Sequence, residues 1–368
     1  MRVICDTQKL SEVCQVIQKV VSTKSTIPAI EGILLKALGN ELILSAYDLE
    51  VGINTSINAK IEEPGSIVLN AKTLCDILRH LPGETVSIYS EDDRLKYKIK
   101  SGESEFSLMG ISATDFPEIP NVDSGFPIVV ESKILKDMVS QTIFAVATND
   151  SKVIHTGIKF EISEKKIKLV ALDGFRLAIR TENIDYSGND VSFVVPAKSI
   201  DEVVKTATSA DGVIAINVGK RHISFEVENY TIVSRLLEGE FLNYTTAIPL
   251  SGTTVARVDT KTFIQSIERT SLIITDKFKS PLRCIFDTDS IKISSVTSVG
   301  TANDKIPAKI DGGRVEIGFN NRYIFDALKN CNVDEVRIEL NGPTSPIVIL
   351  PPENDNFLYL VLPMRLKA

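Results

Sequence analysis

Six basic side chains occupy matched places in three stretches of this chain. Lys72 and Arg79, Lys198 and Lys205, and Arg322 and Lys329 each stand seven positions apart. Each pair sits in a segment that reads as an apolar strand, a helix opened by a small polar residue, and a second strand. The segments are SIVLNAKTLCDILRHLPGETVSIY from Ser66, SFVVPAKSIDEVVKTATSADGVIAINV from Ser192 and VEIGFNNRYIFDALKNCNVDEVRIEL from Val315. At about 100° per residue, positions i and i+7 stack on one helix face, two turns apart. Leu74, Ile77, Leu78 and Leu81 fall on the opposite face, as do Ile200, Val203, Val204 and Ala207, and then Ile324, Ala327 and Leu328. Burying that stripe exposes the basic one, and the acidic residues Asp76, Asp201, Glu202 and Asp326 are expected on its flanks. Lysine and arginine so arranged suit a sequence-independent, salt-sensitive contact with phosphates. A solvated helix face kept by duplication explains the same spacing without function. No Gly-rich loop, aromatic platform or recognition helix argues for base reading.

The elements that carry these residues repeat along the whole chain. Ahead of each segment lies a second block, DTQKLSEVCQVIQKVV, ESKILKDMVSQTIFAVA or DTKTFIQSIERTSL, followed by paired strands. Asp6, Glu131 and Asp259 recur at separations of 125 and 128, and Asp48 and Asp173 at 125. A period of that size marks duplicated domains rather than solenoid turns. Asp6 and Asp259 suit helix N-caps. Leu10, Cys14, Ile17 and Val21 follow one helical face, and Pro82-Gly83 stops the second helix. Seven or eight strands and two helices are expected per unit, an α+β domain with helices on one sheet face. The Pro-rich stretches DFPEIPNVDSGFP and AIPLSGTT set the boundaries, giving domains 1–124, 125–250 and 251–368.

At 368 residues the chain exceeds one ordinary core. Its net charge of −7 argues against clinging to nucleic acid over the whole surface, while localised basic stripes remain compatible with holding a polyanion at one face. No apolar run approaches a membrane span, and MRVICDTQKL lacks a signal-peptide core, so a cytoplasmic location is expected. Five scattered cysteines and three distant histidines suggest buried thiols and no metal site or cofactor. No nucleotide loop, nucleophile elbow or kinase signature is present. Asp173-Gly174 matches Asp48 of the first unit and reads as a turn, so no enzyme is expected.

Three tandem units, the LDGFRL turn at Leu172–Leu177, the GFNNRYIFDAL helix start from Gly318 and the carboxyl end LVLPMRL resemble the bacterial sliding clamp family, the beta subunit of DNA polymerase III. The resemblance covers essentially the whole chain. It implies a DNA-clamp fold of three similar domains, assembled head to tail as a homodimeric ring around duplex DNA. Lys24 and Asn149 match loop residues that approach DNA, with Lys72, Arg79, Lys198, Lys205, Arg322 and Lys329 on the inner helices. A second site, an apolar pocket, would take short peptides from the replicative polymerase, the ATP-dependent clamp loader and repair proteins. Carried over, its wall is His155, Leu172, Gly174, Phe175, Arg176, Leu177, Leu242, Thr246, Ala247, Pro346, Leu360, Leu362, Pro363, Met364 and Arg365. A strand ending in Pro363 and Met364 is not expected to complete a ladder. Phe175, Leu242 and Thr246 depart from the family's usual His or Tyr, Pro and Arg. Phe106 and Leu108 would face Leu272 and Ile273 across the dimer. The competing readings are an enzyme with a site at a domain junction and a monomeric peptide-binding adaptor without DNA encirclement.

Overall fold

A computed structural model describes residues 1–90, 95–122, 127–148, 150–209, 211–275 and 280–366. Among the described residues six α-helices pace the chain: α1 (Thr7–Ile17), α2 (Ala71–His80), α3 (Ser132–Ser140), α4 (Ala197–Thr206), α5 (Thr260–Ser271) and α6 (Asn321–Lys329). Each is preceded by one strand and followed by three, except α5, which four follow before the strand ahead of α6, so every repeat is itself two strand–helix–strand halves. That half-repeat escapes a sequence reading because the two halves share only their apolar rhythm.

Side-chain caps explain where the helices start. Asp6, Asn70, Asp259 and Asn320 accept the N–H of Lys9 (2.8 Å), Thr73 (3.0 Å), Thr262 (2.7 Å) and Arg322 (3.0 Å) respectively. The apolar stripes are inside: Leu10, Cys14 and Ile17 of α1, Leu74 and Cys75 of α2, and Ile200 and Val203 of α4 are fully buried. Val21 falls beyond α1, whose regular turns stop at Ile17 and tighten into a 3₁₀ turn over Gln18–Val20. All five cysteines are buried free thiols.

Among the described residues the first and second repeats each hold eight strands and the third nine. The extra one arises from a break. Val51–Glu63 runs unbroken in the first repeat, whereas its counterpart is split into Thr301–Pro307 and Lys309–Gly312 by Pro307, which has no N–H to donate. The expected boundary at 124/125 lies outside the described residues. The boundary at 250/251 falls in coil between the 3₁₀ turn Thr245–Ala247 and the strand Thr254–Asp259.

Contacts divide the chain into two compact units, Met1–Lys133 with Lys198–Leu236, and Ile134–Ala197 with Leu237–Ala368. The middle repeat is shared between them because sheets run across repeat boundaries. In the first unit, Val51–Glu63 pairs antiparallel with Tyr230–Arg235 within a 12-stranded sheet. In the second, Arg176–Asn183 pairs antiparallel with Phe357–Val361 within a nine-stranded sheet, beside a separate four-stranded sheet. Among the described residues no helix is long and apolar enough to cross a membrane.

Candidate functional sites: basic helix faces and an apolar cleft

All six repeated basic side chains are exposed, as is Lys24 in the coil between Val20 and Pro28. Opposite them, Ile77, Leu78, Ile324, Ala327 and Leu328 are buried, and Leu81 and Val204 half-buried. Asn149 lies outside the described residues. The acidic neighbours do not stay on the flanks. Arg79 pairs with Asp76, one turn back. Lys205 Nζ lies 2.5 Å from Asp201 and 3.7 Å from Glu202, and the Asp201 hydrogen bond raises the ammonium above its ordinary pKa. Lys198 Nζ meets Asp48, 2.6 Å away. For Arg79 and Lys205 the reason is reach: a side chain at i+3 or i+4 swings across the stripe to its partner. Exposed pairs of this kind contribute roughly 0.2–1 kcal/mol, small enough for a phosphate to replace the carboxylate.

Asp48 and Asp173 are turn residues, as expected. Asp173 Oδ1 accepts the N–H groups of Phe175 (2.9 Å) and Arg176 (3.1 Å), and Gly174 between them has φ +89°. Asp48 Oδ1 does the same for Glu50 (3.0 Å) and Val51 (2.7 Å), with Leu49 at φ +76°. An Asx turn leaves the residue after it free to adopt the left-handed conformation that glycine takes without strain.

The second turn projects its residues into a shallow apolar cleft of about 70 Å³ in the second unit. The lining is Leu172, Gly174, Phe175, Arg176, Leu177, Leu242, Tyr244, Ala247, Leu360 and Leu362. Phe175, Leu242 and Leu362 are 58%, 47% and 36% exposed, whereas Leu172, Leu177, Tyr244 and Leu360 form a buried floor. Arg176 adds no free charge. Its Nε lies 3.0 Å from Asp173, its Nη1 2.6 Å from Asp326 of α6, and its guanidinium 4.7 Å from the Tyr323 ring centre. Phe175 stacks on the same Tyr323, with ring centres 6.0 Å apart.

Six of the residues expected in this wall stand elsewhere. His155 is buried behind it, edge-on to Phe241, and its Nε2 accepts the Leu242 N–H at a long 3.5 Å. Burial, then the charge of Lys152, holds its imidazole below the ordinary pKa, in the neutral form an acceptor nitrogen needs. Thr246 is exposed and bonds back to the Asn243 carbonyl at 3.1 Å, and Pro346 is half-buried ahead of the strand Ile347–Leu350. Pro363, Met364 and Arg365 line a different hollow with Gly318, Pro343, Thr344 and Leu366. Met364 does extend the pairing: its N–H bonds to the Gly318 carbonyl at 2.7 Å, forming an isolated bridge after Pro363 has ended the strand.

Tyr244 is the cleft residue that sequence reading missed. Its hydroxyl donates to Glu161 at 2.7 Å, and burial, reinforced by that carboxylate, raises the phenol's pKa. The available signal was the linker itself, since EFLNYTTAIP is four residues longer than DFPEIP and carries an extra aromatic.

Of the residues expected at a dimer contact, Phe106 is 40% exposed and Leu108 half-buried on the strand Ser104–Met109, which closes one edge of its sheet. Leu272, 81% exposed, and the half-buried Ile273 follow directly on α5.

A triplicated α+β chain with a basic helix in each repeat and an apolar cleft has the architecture of a DNA clamp. Residues 1–120, 129–243 and 245–365 match, in order, the N-terminal, central and C-terminal domains of the DNA polymerase III beta subunit. The chain belongs to that family. It is 30% identical over 357 residues to the beta sliding clamp of Staphylococcus epidermidis, covering 94% of each chain. Among solved structures, the DNA polymerase sliding clamp of Bacillus subtilis superposes with a TM-score of 0.97 at 30% identity over 100% of both chains. A putative DNA polymerase III beta subunit of Eubacterium rectale gives 0.95 at 34% identity over 99% of both chains. The sliding clamp of Pseudomonas aeruginosa solved with griselimycin bound gives 0.94 at 28% identity over 100% of both chains.

Proposed function

We propose that this chain is a processivity factor of DNA replication. Two copies join head to tail in a closed ring around duplex DNA, slide along it, and tether the replicative polymerase, the ATP-dependent clamp loader and repair proteins by peptides held in the cleft. One observation carries the reading. In the first two repeats, the strand after the Asx turn takes the last strand of the following repeat as its neighbour: Val51 to Ser234 for one, Arg176 to Val361 for the other. In the third repeat the equivalent strand, Thr301–Pro307, is a sheet edge, and so is Ser104–Met109, the last strand of the first repeat. A second copy placed head to tail satisfies both edges by the rule the chain already uses internally. Phe106, Leu108, Leu272 and Ile273 would border that seam.

The three repeats are the domains 1–124, 125–250 and 251–368. Lys24, Lys72, Arg79, Lys198, Lys205, Arg322, Lys329 and, by resemblance, Asn149 would contact phosphates as a loose, screened surface. Topological linkage holds the ring on DNA, so the contacts need not be tight, and the acidic remainder of the chain discourages binding elsewhere. The cleft, centred on Leu172, Phe175, Leu177, Leu242, Tyr244 and Leu360, supplies an apolar seat for a peptide, with Pro363, Met364 and Arg365 bordering an adjoining hollow. The role is mechanical: no reaction and no cofactor is assigned, and the site of action is the cytoplasm, where bacterial DNA is replicated.

The test is retention by topology. The protein is loaded by a clamp loader and ATP onto nicked circular plasmid, the complex is isolated, and the DNA is linearised at moderate salt. Release on linearisation alone supports the ring. Equally fast loss from the intact circle overturns it and favours a monomeric peptide-binding adaptor.

A further inference from the structure

We infer that Arg176 is a positioning residue for the basic stripe of α6: by holding two carboxylates, it leaves Arg322 and Lys329 free to meet phosphates. This rests on the reading of that stripe as a phosphate contact, and it ties the stripe to the cleft turn.

Two arrangements of turn and helix in this chain are equivalent. Tyr230–Arg235 pairs with the strand after the Asp48 turn, and Phe357–Val361 with the strand after the Asp173 turn. Each is the third strand after its helix, α4 in the first case and α6 in the second. Thr297 holds the turn position in the third repeat, its hydroxyl accepting the Val299 N–H at 3.2 Å, so only two turns carry a carboxylate. Each helix brings another, four residues after its first basic side chain: Glu202 after Lys198 and Asp326 after Arg322. Two acids thus stand near two stripe residues in either place.

On α4 the acids hold the stripe. Lys198 Nζ lies 2.6 Å from Asp48, and Lys205 Nζ lies 3.7 Å from Glu202 and 2.5 Å from Asp201. On α6 the corresponding acids are taken. Arg176 Nε lies 3.0 Å from Asp173, and its Nη1 2.6 Å from Asp326. Phe325 stands where α4 has Asp201, and Lys329 Nζ lies over its ring, 5.8 Å from the centre. Arg322 and Lys329 are exposed, and neither forms an ion pair among the described residues.

One turn position makes the difference. The Asp48 N–H bonds to the Val51 carbonyl and the Asp173 N–H to that of Arg176, so Val51 holds the place of Arg176 in the first repeat. Val51 is buried and apolar and takes no acid from the stripe. A guanidinium presents several donors in a fixed fork, which lets a single side chain hold both carboxylates at once. Without it, Asp326 lies one helical turn from Arg322 (i, i+4) and from Lys329 (i, i+3), within reach of either. A basic side chain that must first leave a carboxylate releases fewer counterions when it meets a phosphate.

Fluorescence anisotropy of a labelled short duplex, repeated over a salt series with the intact protein, reads the effect. Lys329→Ala should make log affinity less steep against log salt by about 1, as Arg322→Ala does, and Lys198→Ala and Lys205→Ala by less. Arg176→Met should make it less steep by about 1 or more, although the arginine itself faces the cleft turn. Adding Asp173→Asn and Asp326→Asn to that variant should restore the steepness, because asparagine keeps the acceptor of the turn and loses the charge. A merely structural role for Arg176 predicts no such rescue. Asp48→Asn tests the same principle with Arg176 in place: it frees Lys198 and should make the dependence steeper. An unchanged salt dependence in Arg176→Met, a triple variant no better than the single one, or an Asp48→Asn indistinguishable from wild type overturns the inference and leaves Arg322 and Lys329 as contacts. No change in either Arg322→Ala or Lys329→Ala overturns the phosphate reading of α6 itself, and the inference with it.

Discussion

Replacing Arg176 by methionine keeps the apolar stem and removes the cation that joins the cleft turn to α6. Arg176 holds Asp326 at 2.6 Å and Asp173 at 3.0 Å, with side-chain exposures of 9% for the arginine, 25% for Asp326 and 13% for Asp173. An exposed pair would be worth about 1 kcal/mol or less. Removing one partner of a buried pair costs about 3–5 kcal/mol, because the charge left behind stays desolvated. With a quarter of Asp326 still in water, the low end of that range applies, about 3 kcal/mol. Asp326→Asn leaves Arg176 paired with Asp173 and able to donate to the amide oxygen, so its cost is only about 1 kcal/mol. Urea unfolding followed by far-ultraviolet circular dichroism measures both. Because the same turn sets Phe175 and Leu177 in the cleft, Arg176→Met should also weaken binding of a labelled partner peptide at least tenfold, or about 1.4 kcal/mol. A loss of stability below 1 kcal/mol, or equal losses in the two variants, would refute the shared-cation argument.

Lys72→Ala and Arg322→Ala should each reduce the slope of log affinity against log salt for a short duplex by about 1, measured by fluorescence anisotropy. Lys205→Ala should change it less, since that ammonium must first leave Asp201 and Glu202. Folding should be favoured by neutral His155: its folded pKa lies below the unfolded one, so its contribution is complete above about pH 6.5 and is lost as pH falls through the folded value. Melting temperatures between pH 5 and 8 should fall toward acid more steeply in the wild type than in His155→Gln. Tyr244→Phe removes the hydroxyl from Glu161, which retains Lys159 at 2.7 Å and Lys168 at 3.7 Å. A cost near the low end for a charged hydrogen bond, about 1.5 kcal/mol, is expected in urea.

The basic stripes were legible in the sequence because their geometry is local: spacing by seven fixes a common face without any tertiary information. Their ion partners were less so. Lys198 meets Asp48, 150 residues away in the chain, and no periodicity reports that contact. The turn at Asp173-Gly174 was visible as residue types, and its first-repeat counterpart as a repeated aspartate. Thr297 was overlooked because a different side chain supplies the same acceptor to the N–H two residues on. The cleft was legible where single strands and the turn build it, through Leu172, Leu177 and Leu360. His155, Thr246 and Pro346 stand outside its lining, where linker and coil geometry decide which side chains face inward.

The first repeat packs its own chain at the place that the cleft takes in the second. Both begin with the same turn, and each has a small apolar cluster beside it: Tyr47, Val68 and Phe116 in one, Leu172, Leu177, Tyr244 and Leu360 in the other. The difference lies at one floor position and in the linker. Where the second repeat has Leu177, the first has Gly52, and a Cβ there would come within 2.9 Å of Ile119. Ile119 thus takes the space above a floor lowered by glycine. In the second repeat the linker is longer, turns through Thr245–Ala247, and lays Tyr244 into the floor while Leu242 stays at the rim. The turn supplies the frame in both cases, and linker length determines whether the chain fills it or leaves it open.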